Sequence, residues 1–136
     1  MIIVFDTNVI LAGFLTHGAS AEVIEHCVAN HEVYISPFIL DEVEDKPRNK
    51  FRFPPPKVAD LLRYLRDQLE VIEPAELASP ACRDPDDDMI LATAVAARAD
   101  CIVSGDNDLL DMKQYQQIPI IKPAEFWRFE GSFRRS

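Results

Sequence analysis

Glycine is scarce in this sequence, and the absence of a glycine-rich phosphate-binding loop argues against an NTPase. No apolar run approaches the ~20 residues that a membrane-spanning helix requires. The N-terminus enters an apolar run without a preceding basic region, so we expect neither a signal peptide nor a membrane segment. Cys27, Cys82 and Cys101 are odd in number and lack metal-ligand spacing, which is typical of reduced thiols in the cytoplasm.

The histidines do not indicate a zinc site. His17, His26 and His31 fall in predicted loop and helix positions and contain no i, i+4 pair. We therefore predict that they are ordinary surface or core residues.

Positive charge is absent before Lys46, and the net charge of the chain is −9. Half of the fourteen basic residues then follow within a short segment that contains one acid, Asp60. An acidic protein with one basic segment is typical of an anionic ligand held beside an acidic centre, and a solvated helix surface is the alternative. The basic segment consists of Lys46, Arg48, Lys50, Arg52, Lys57, Arg63 and Arg66.

Short apolar stretches alternate with amphipathic ones along the chain. Residues 2–5 are β-branched and aromatic, which is typical of a strand buried on both faces of a parallel sheet. Ser20 is a predicted helix N-cap. The alternation predicts one domain over residues 1–136, an α/β/α sandwich around a central, mainly parallel, five-stranded sheet. The predicted strands are 2–5, 33–36, 70–72, 101–104 and 118–121. The first predicted helix ends near 15 and the second follows the cap at 20. The third begins at 37, the fourth begins at about 56, and the last two span 86–99 and 123–129.

Four acidic side chains fall where a parallel sheet would bring them to one edge. Asp6 follows the first strand and Glu42 lies in the helix after the second. Asp87 opens an alanine-rich helix and Asp106 follows the fourth strand. Ligands of open α/β sheets bind at that edge. Helix capping and the helix dipole are the alternative explanation for Asp6 and for the acids around Asp87.

Carboxylates from several elements, without histidine or cysteine partners, suit a hard cation such as Mg²⁺ or Mn²⁺. Beside a basic segment they favour phosphodiester hydrolysis, in which metal ions activate a water and stabilise the leaving oxygen. Residues 86–88 are three consecutive acids, more than a cap requires, and which of them binds a cation stays open. Asp41 and Glu44 are rivals of Glu42.

Five stretches follow one another in an order that resembles one protein family. They are Asp6-Thr7-Asn8, Ser36-Pro37-Phe38-Ile39-Leu40-Asp41-Glu42-Val43, the acidic run from Asp84 to Ala94, Ser104-Gly105-Asp106-Asn107-Asp108, and Ile121-Lys122-Pro123-Ala124-Glu125-Phe126. Together they cover nearly the whole chain and resemble the PIN-domain ribonucleases, in particular the VapC-like toxin components of toxin–antitoxin pairs.

This resemblance implies a PIN-like, Rossmann-like fold and a divalent-metal-dependent endoribonuclease, which cleaves single-stranded or structured RNA with a metal-activated water. It implies Mg²⁺ or Mn²⁺ as the cofactor. Asn8 would assist through hydrogen bonds and Ser104 would orient the fourth acid. The catalytic, metal-binding acids implied are Asp6, Glu42, Asp87 and Asp106, supported by Asn8, Ser104, Asp88 and Asp108.

The resemblance also implies partners: an RNA substrate held by the basic segment, a cognate antitoxin protein, and further copies of the chain in a homodimer or higher homo-oligomer. Phe126, Trp127 and Phe129 fit either the core or such an interface. Two alternatives remain: a catalytically silent PIN-fold binding module, and a receiver-like phosphoacceptor domain. The receiver shares the acidic Mg²⁺ pocket and a Lys122-Pro123 pair, although the first strand here ends in one acid rather than two.

Overall fold

A computed structural model describes residues 1–15, 18–47 and 54–135, with the backbone alone for residues 134 and 135. Four residues of the sequence predictions, His17, Arg48, Lys50 and Arg52, lie outside the described residues.

Strands and helices alternate along the described chain, as the sequence predicts. The strands are β1 (Ile2–Phe5), β2 (Glu32–Ile35), β3 (Glu70–Val71), β4 (Cys101–Val103), β5 (Gln114–Tyr115) and β6 (Ile118–Ile121). The helices are α1 (Thr7–Leu15), α2 (Ala19–Asn30), α3 (Pro37–Lys46), α4 (Pro55–Gln68), α5 (Pro85–Ala97), α6 (Asn107–Leu110) and α7 (Phe126–Arg135).

The sheet has the strand order β3-β2-β1-β4-β6-β5. All neighbouring strands are parallel except β5 and β6, so the prediction of a mainly parallel sheet in an α/β fold is confirmed. β1 is central, because Ile3 pairs with Val33 of β2 on one side and with Cys101 of β4 on the other. The chain builds outward from β1 in opposite directions, and the crevice at such a switch point is where α/β sheets bind ligands.

The predicted strand number is wrong, because the sheet has six strands rather than five. The additional strand, β5, has two residues and pairs antiparallel with β6. Gln116 and Gln117 form the turn between them with φ of 49° and 69°. Two-residue hairpin turns of this left-handed kind usually contain Asn or Gly, so a Gln-Gln pair gives no hairpin signal in the sequence.

Helix starts depart from the predictions at both ends of the chain. The predicted cap at Ser20 is wrong, since α2 begins at Ala19 and the residue at its N-cap is Gly18, without a side-chain cap bond. The predicted helix over 123–129 is a 3-10 turn, Pro123–Glu125, that leads into the longer helix α7. α6 is a single turn that the sequence prediction missed.

Apolar side chains of the central strand and of the helix stripes form the core. Ile3 and Val4 of β1 are fully buried. In α4, Val58, Leu61 and Leu65 are buried at the spacing of one helix face. Burial of each large aliphatic side chain contributes about 1.5–3 kcal/mol, so β1 and the acids that follow it stand on a well-packed base.

Among the helices of the described chain, we find none with both the length and the apolar character needed to cross a membrane.

Candidate metal centre

A cavity of about 180 Å³ lies where β1 and β4 end. Its walls are almost entirely polar, and all four acids that the sequence brings to this edge contribute to them. The lining residues are Asp6, Asn8, Glu42, Lys46, Asp84, Asp86, Asp87, Ile90 and Asp106.

Asp6 is a buried carboxylate with 5% of its surface exposed. Its Oδ2 accepts a hydrogen bond from the Ser104 hydroxyl at 2.7 Å, while its Oδ1 lies 3.4 Å from the backbone N of Asn8. Burial raises the pKa of Asp6, the Ser104 and Asn8 contacts and the Lys46 charge oppose that rise, and the Asp106 charge adds to it. The helix-capping contact with the Asn8 backbone is long, so the shorter bond from Ser104, which directly follows β4, is the one that holds the carboxylate.

Ser104 connects two of the acids rather than one. Its hydroxyl donates to Asp6 and accepts a hydrogen bond from the backbone N–H of Asp106 at 3.0 Å. The hydroxyl is fully buried, so it fixes Asp6 and the backbone that carries Asp106 in one arrangement.

Glu42 reaches the cavity from α3, and each of its two carboxylate oxygens contacts another side chain. Thr7, which is fully buried, donates its hydroxyl to Oε1 at 2.6 Å, and the Lys46 ammonium lies 3.6 Å from Oε2. Sequence reasoning missed Thr7, although it stands inside the Asp-Thr-Asn stretch. Asp41 and Glu44, the rivals of Glu42, are not among the lining residues.

The acids at the start of α5 divide into two sets. Asp84 caps the helix by accepting from the backbone N of Asp86 at 2.9 Å, and both line the cavity with Asp87. The sequence prediction took Asp87 as the ligand, left Asp86 and Asp88 open, and did not include Asp84. Asp88 does not line it, because its Oδ1 accepts from the backbone N atoms of Ala81 and Cys82 at 3.0 and 2.9 Å. Asp88 therefore fastens the preceding loop.

Asp87 carries the largest carboxyl shift in the cavity. Its pKa is raised to about 7, first by burial, then by the charge of Asp106 and a hydrogen bond with it, and then by the charges of Asp84 and Asp6. The pKa is raised because several carboxyl groups crowd this cavity and Lys46 is the one cation among the described residues that line it. An all-oxygen donor set with this excess of negative charge fits a hard divalent cation.

The last acidic turn lies at the rim of the cavity. Asp106 caps α6 by accepting from the backbone N of Asp108 at 3.0 Å, and carboxylate oxygens of Asp87, Asp106 and Asp108 lie within 4.8 Å of one another. The Arg83 guanidinium, which sequence reasoning also missed, donates to Asp108 at 2.8 Å on the exposed side.

The described part of the predicted basic segment divides between the cavity and α4. Lys46 lines the cavity. Lys57, Arg63 and Arg66 are exposed on α4, where Arg63 pairs with Asp60 at 3.3 Å.

The acidic cavity lies at the switch point of an open α/β sheet. Comparison of the sequence with family models identifies the class of α/β protein to which the chain belongs. The chain belongs to the PIN-domain family, whose model, described as PIN domain, matches residues 2–108. The predicted resemblance is thereby confirmed. The strand order also differs from the 2-1-3-4-5 order of flavodoxin-like sheets, which excludes the receiver alternative.

Two solved structures share the fold. One is VapBC2 from Rickettsia felis bound to a DNA fragment from their promoter, with a TM-score of 0.63, 17% identity, and coverage of 88% of this chain and 97% of that one. The other is VapBC-1 from nontypeable Haemophilus influenzae, with a TM-score of 0.63, 14% identity, and coverage of 91% and 99%. Comparison with curated proteins gives no significant match.

Proposed function

We propose that this chain is a divalent-metal-dependent endoribonuclease that acts as the toxin of a toxin–antitoxin pair in the cytoplasm. The observation that supports it most is the convergence of Asp6, Glu42, Asp87 and Asp106 on one polar cavity from four different parts of the chain. Such a charge density is useful to an enzyme that binds a cation and of little use to the fold, because like charges repel.

These four carboxylates would hold Mg²⁺ or Mn²⁺, and Asn8 lies beside them at the cavity wall. When bound, the cation would supply charge neutralisation and activation of a water for attack on phosphorus. Asp108 would add a carboxylate at the rim of the cavity, where the Arg83 guanidinium holds it in place.

The chain's own residues would position the carboxylates and the substrate. Ser104 holds Asp6 and Thr7 holds Glu42, so neither acid has to be ordered when RNA binds. No serine, cysteine or histidine is among the lining residues that the structure describes, so water is the nucleophile that this cavity favours. Its oxygen would bond to phosphorus as the bond to the 3′ oxygen breaks, giving a 3′-hydroxyl and a 5′-phosphate.

One cation in the cavity and three on α4 support a nucleic-acid substrate. Lys46 stands among the acids, and Lys57, Arg63 and Arg66 present exposed charge on α4. Contacts of this kind bind the phosphate backbone and release counterions without reading sequence. Arg48, Lys50 and Arg52, between these two groups in sequence, belong to the same proposal.

The fold comparison and α7 support the protein partners that we propose. The two structural relatives are toxin–antitoxin complexes by name, so we propose a cognate antitoxin for this chain as well. Phe126 is fully buried and belongs to the core, whereas Trp127 and Phe133 are 42% and 41% exposed. These two aromatic rings are the part of α7 that we assign to a homodimer, and light scattering on the purified chain would test it.

A matched pair of variants on α3 tests the ribonuclease. We expect the wild-type chain to cleave labelled single-stranded RNA with Mn²⁺, to stop in EDTA, and to leave 5′-phosphates. Glu42→Gln should remove cleavage, while its exposed neighbour Asp41→Asn should retain it. Cleavage that persists in EDTA would contradict the metal proposal, and RNA binding without any cleavage would favour the silent binding module.

A further inference from the structure

A second cluster of metal-ligating side chains lies between α2 and α7. His26 is on α2, His31 is at its C-terminal end, and Glu130 is on α7. The Nε2 atoms of both histidines lie 2.6 Å from the same oxygen of Glu130, Oε2. None of the three lines the acidic cavity.

Three ligand atoms converge on one point in this cluster. All of them lie within 4.8 Å of one another, and the two imidazole rings meet edge to face with centroids 5.6 Å apart. One carboxylate oxygen has two lone pairs and can accept a hydrogen bond from each imidazole. The same two imidazole nitrogens and one carboxylate are also the donor set of zinc sites with two histidines, one glutamate and an open position.

We propose that His26, His31 and Glu130 form a second metal site, which takes Zn²⁺ or a similar borderline transition-metal ion and fastens α7 to α2. The site stands apart from the proposed ribonuclease in both position and chemistry. Imidazole nitrogens favour Zn²⁺, Co²⁺ and Ni²⁺ over Mg²⁺, whereas the all-oxygen acidic cavity suits hard cations such as Mg²⁺ and Mn²⁺.

The sequence spacing of the histidines concealed this cluster. His26 and His31 are separated by five positions, so they do not share a helix face in the usual i, i+4 manner. His31 lies past the end of the helix with an extended backbone, φ −136° and ψ −179°, and this turns its ring back towards His26. The expectation that these two histidines are ordinary surface or core residues did not foresee this contact.

The proton balance of the rings permits metal binding. A neutral ring that donates Nε2–H to Glu130 leaves Nδ1 as an acceptor, and binding through Nε2 moves that proton to Nδ1. The present neighbours of Nδ1 are long contacts: the Asn30 amide nitrogen at 3.3 Å for His26 and the Met1 amino group at 3.4 Å for His31. The Asn30 amide can turn its oxygen to accept from His26 Nδ1, which gives up its 3.0 Å hydrogen bond to the His26 carbonyl oxygen, and the Met1 ammonium would have to move away from His31 Nδ1.

Aromatic rings surround the site and connect it to the surface of α7. The His26 ring lies 4.8 Å from the ring of Trp127 and 6.2 Å from that of Phe126, measured between centroids. A metal held here would fix the helix that carries the exposed Trp127. Trp127 is also the only tryptophan in the chain, so its fluorescence comes from a ring that contacts this site.

The test is a Co²⁺ titration followed by Trp127 fluorescence, in the full chain with Asp6→Asn and Asp106→Asn to weaken the acidic cavity as a competitor. We expect one equivalent of Co²⁺ to quench the fluorescence and Zn²⁺ to displace it. In that background, His26→Gln, His31→Gln and Glu130→Gln should each weaken Zn²⁺ binding by about tenfold or more. Glu25→Gln, an exposed acid next to His26, is the matched control and should leave it unchanged.

Two results would overturn the proposal. One is the absence of quenching and of Zn²⁺ binding in the chain that carries only Asp6→Asn and Asp106→Asn and that far-UV circular dichroism shows to be folded. The other is equal Zn²⁺ affinity in His26→Gln and Glu25→Gln. The His26 side chain is 26% exposed, so its substitution leaves the core intact, which far-UV circular dichroism would verify.

Discussion

Asp106→Asn should make the stability of the metal-free protein less dependent on pH. The charge of Asp106 and its hydrogen bond follow burial among the causes that raise the pKa of Asp87 to about 7. A carboxyl whose pKa is higher in the folded chain binds more protons folded than unfolded. Its contribution to the free energy of unfolding is therefore lost as pH rises, between the ordinary value of 3.8 and about 7.

The magnitude follows from that shift. The full pKa shift of Asp87, from 3.8 to about 7, corresponds to about 4 kcal/mol at ~1.4 kcal/mol for each pKa unit. Asp87 is only partly buried, and solvent screening reduces the effect to about 1–2 kcal/mol. For a chain of this size, 1 kcal/mol moves the melting temperature by about 4 °C. Asp6, whose pKa is also raised, adds a contribution of the same sign.

Thermal unfolding in EDTA at pH 5 and pH 8 measures this. We expect the wild-type chain to melt at a lower temperature at pH 8, Asp106→Asn to show a smaller difference between the two pH values, and Mn²⁺ to restore the wild type at pH 8. Asp41→Asn is the control and should behave as the wild type. Identical pH dependence in wild type and Asp106→Asn would refute the argument from crowded carboxylates.

Three further outcomes are expected. Thr7→Val should lower kcat/KM for RNA cleavage by roughly 10–100-fold, since it removes a hydrogen bond to a charged carboxylate, and an unchanged rate would contradict that role. Gln116→Asn with Gln117→Gly should raise the free energy of unfolding in urea by about 1 kcal/mol, because both residues have positive φ; no gain would argue against the turn. Arg63→Gln with Arg66→Gln should weaken RNA binding and reduce its logarithmic salt slope by about 2, whereas an unchanged slope would locate the RNA elsewhere.

Sequence patterns were sufficient to predict the main strands and helices, because residues that are neighbours in the chain decide which of these elements forms. The apolar run that ends in Asp6 predicts a buried parallel strand, and that strand is the centre of the sheet. The stripe from Val58 to Leu65 predicts the buried face of α4. β5 escaped prediction because it has two residues and a turn without Asn or Gly.

Side-chain direction within the site could not be predicted, because it depends on contacts between distant segments. Asp88 turns to the backbone of the loop at 81–82, while Asp84 and Asp86 face the cavity. Thr7 gains its role from Glu42, which is 35 residues away in sequence. The contact of His26 with Glu130 spans 104 residues, and no local pattern indicates it.

Mn²⁺-dependent cleavage of a labelled single-stranded RNA by the wild-type chain and by Asp6→Asn, compared side by side, tests the central claim most directly. Asp6→Asn keeps the size of the side chain beside Ser104, so the fold should persist while a ligand charge is lost. If Asp6 is a metal ligand, the wild type cleaves the RNA and the variant gives no product above background. Full activity of a folded Asp6→Asn variant would show that the acidic cavity is not the catalytic centre.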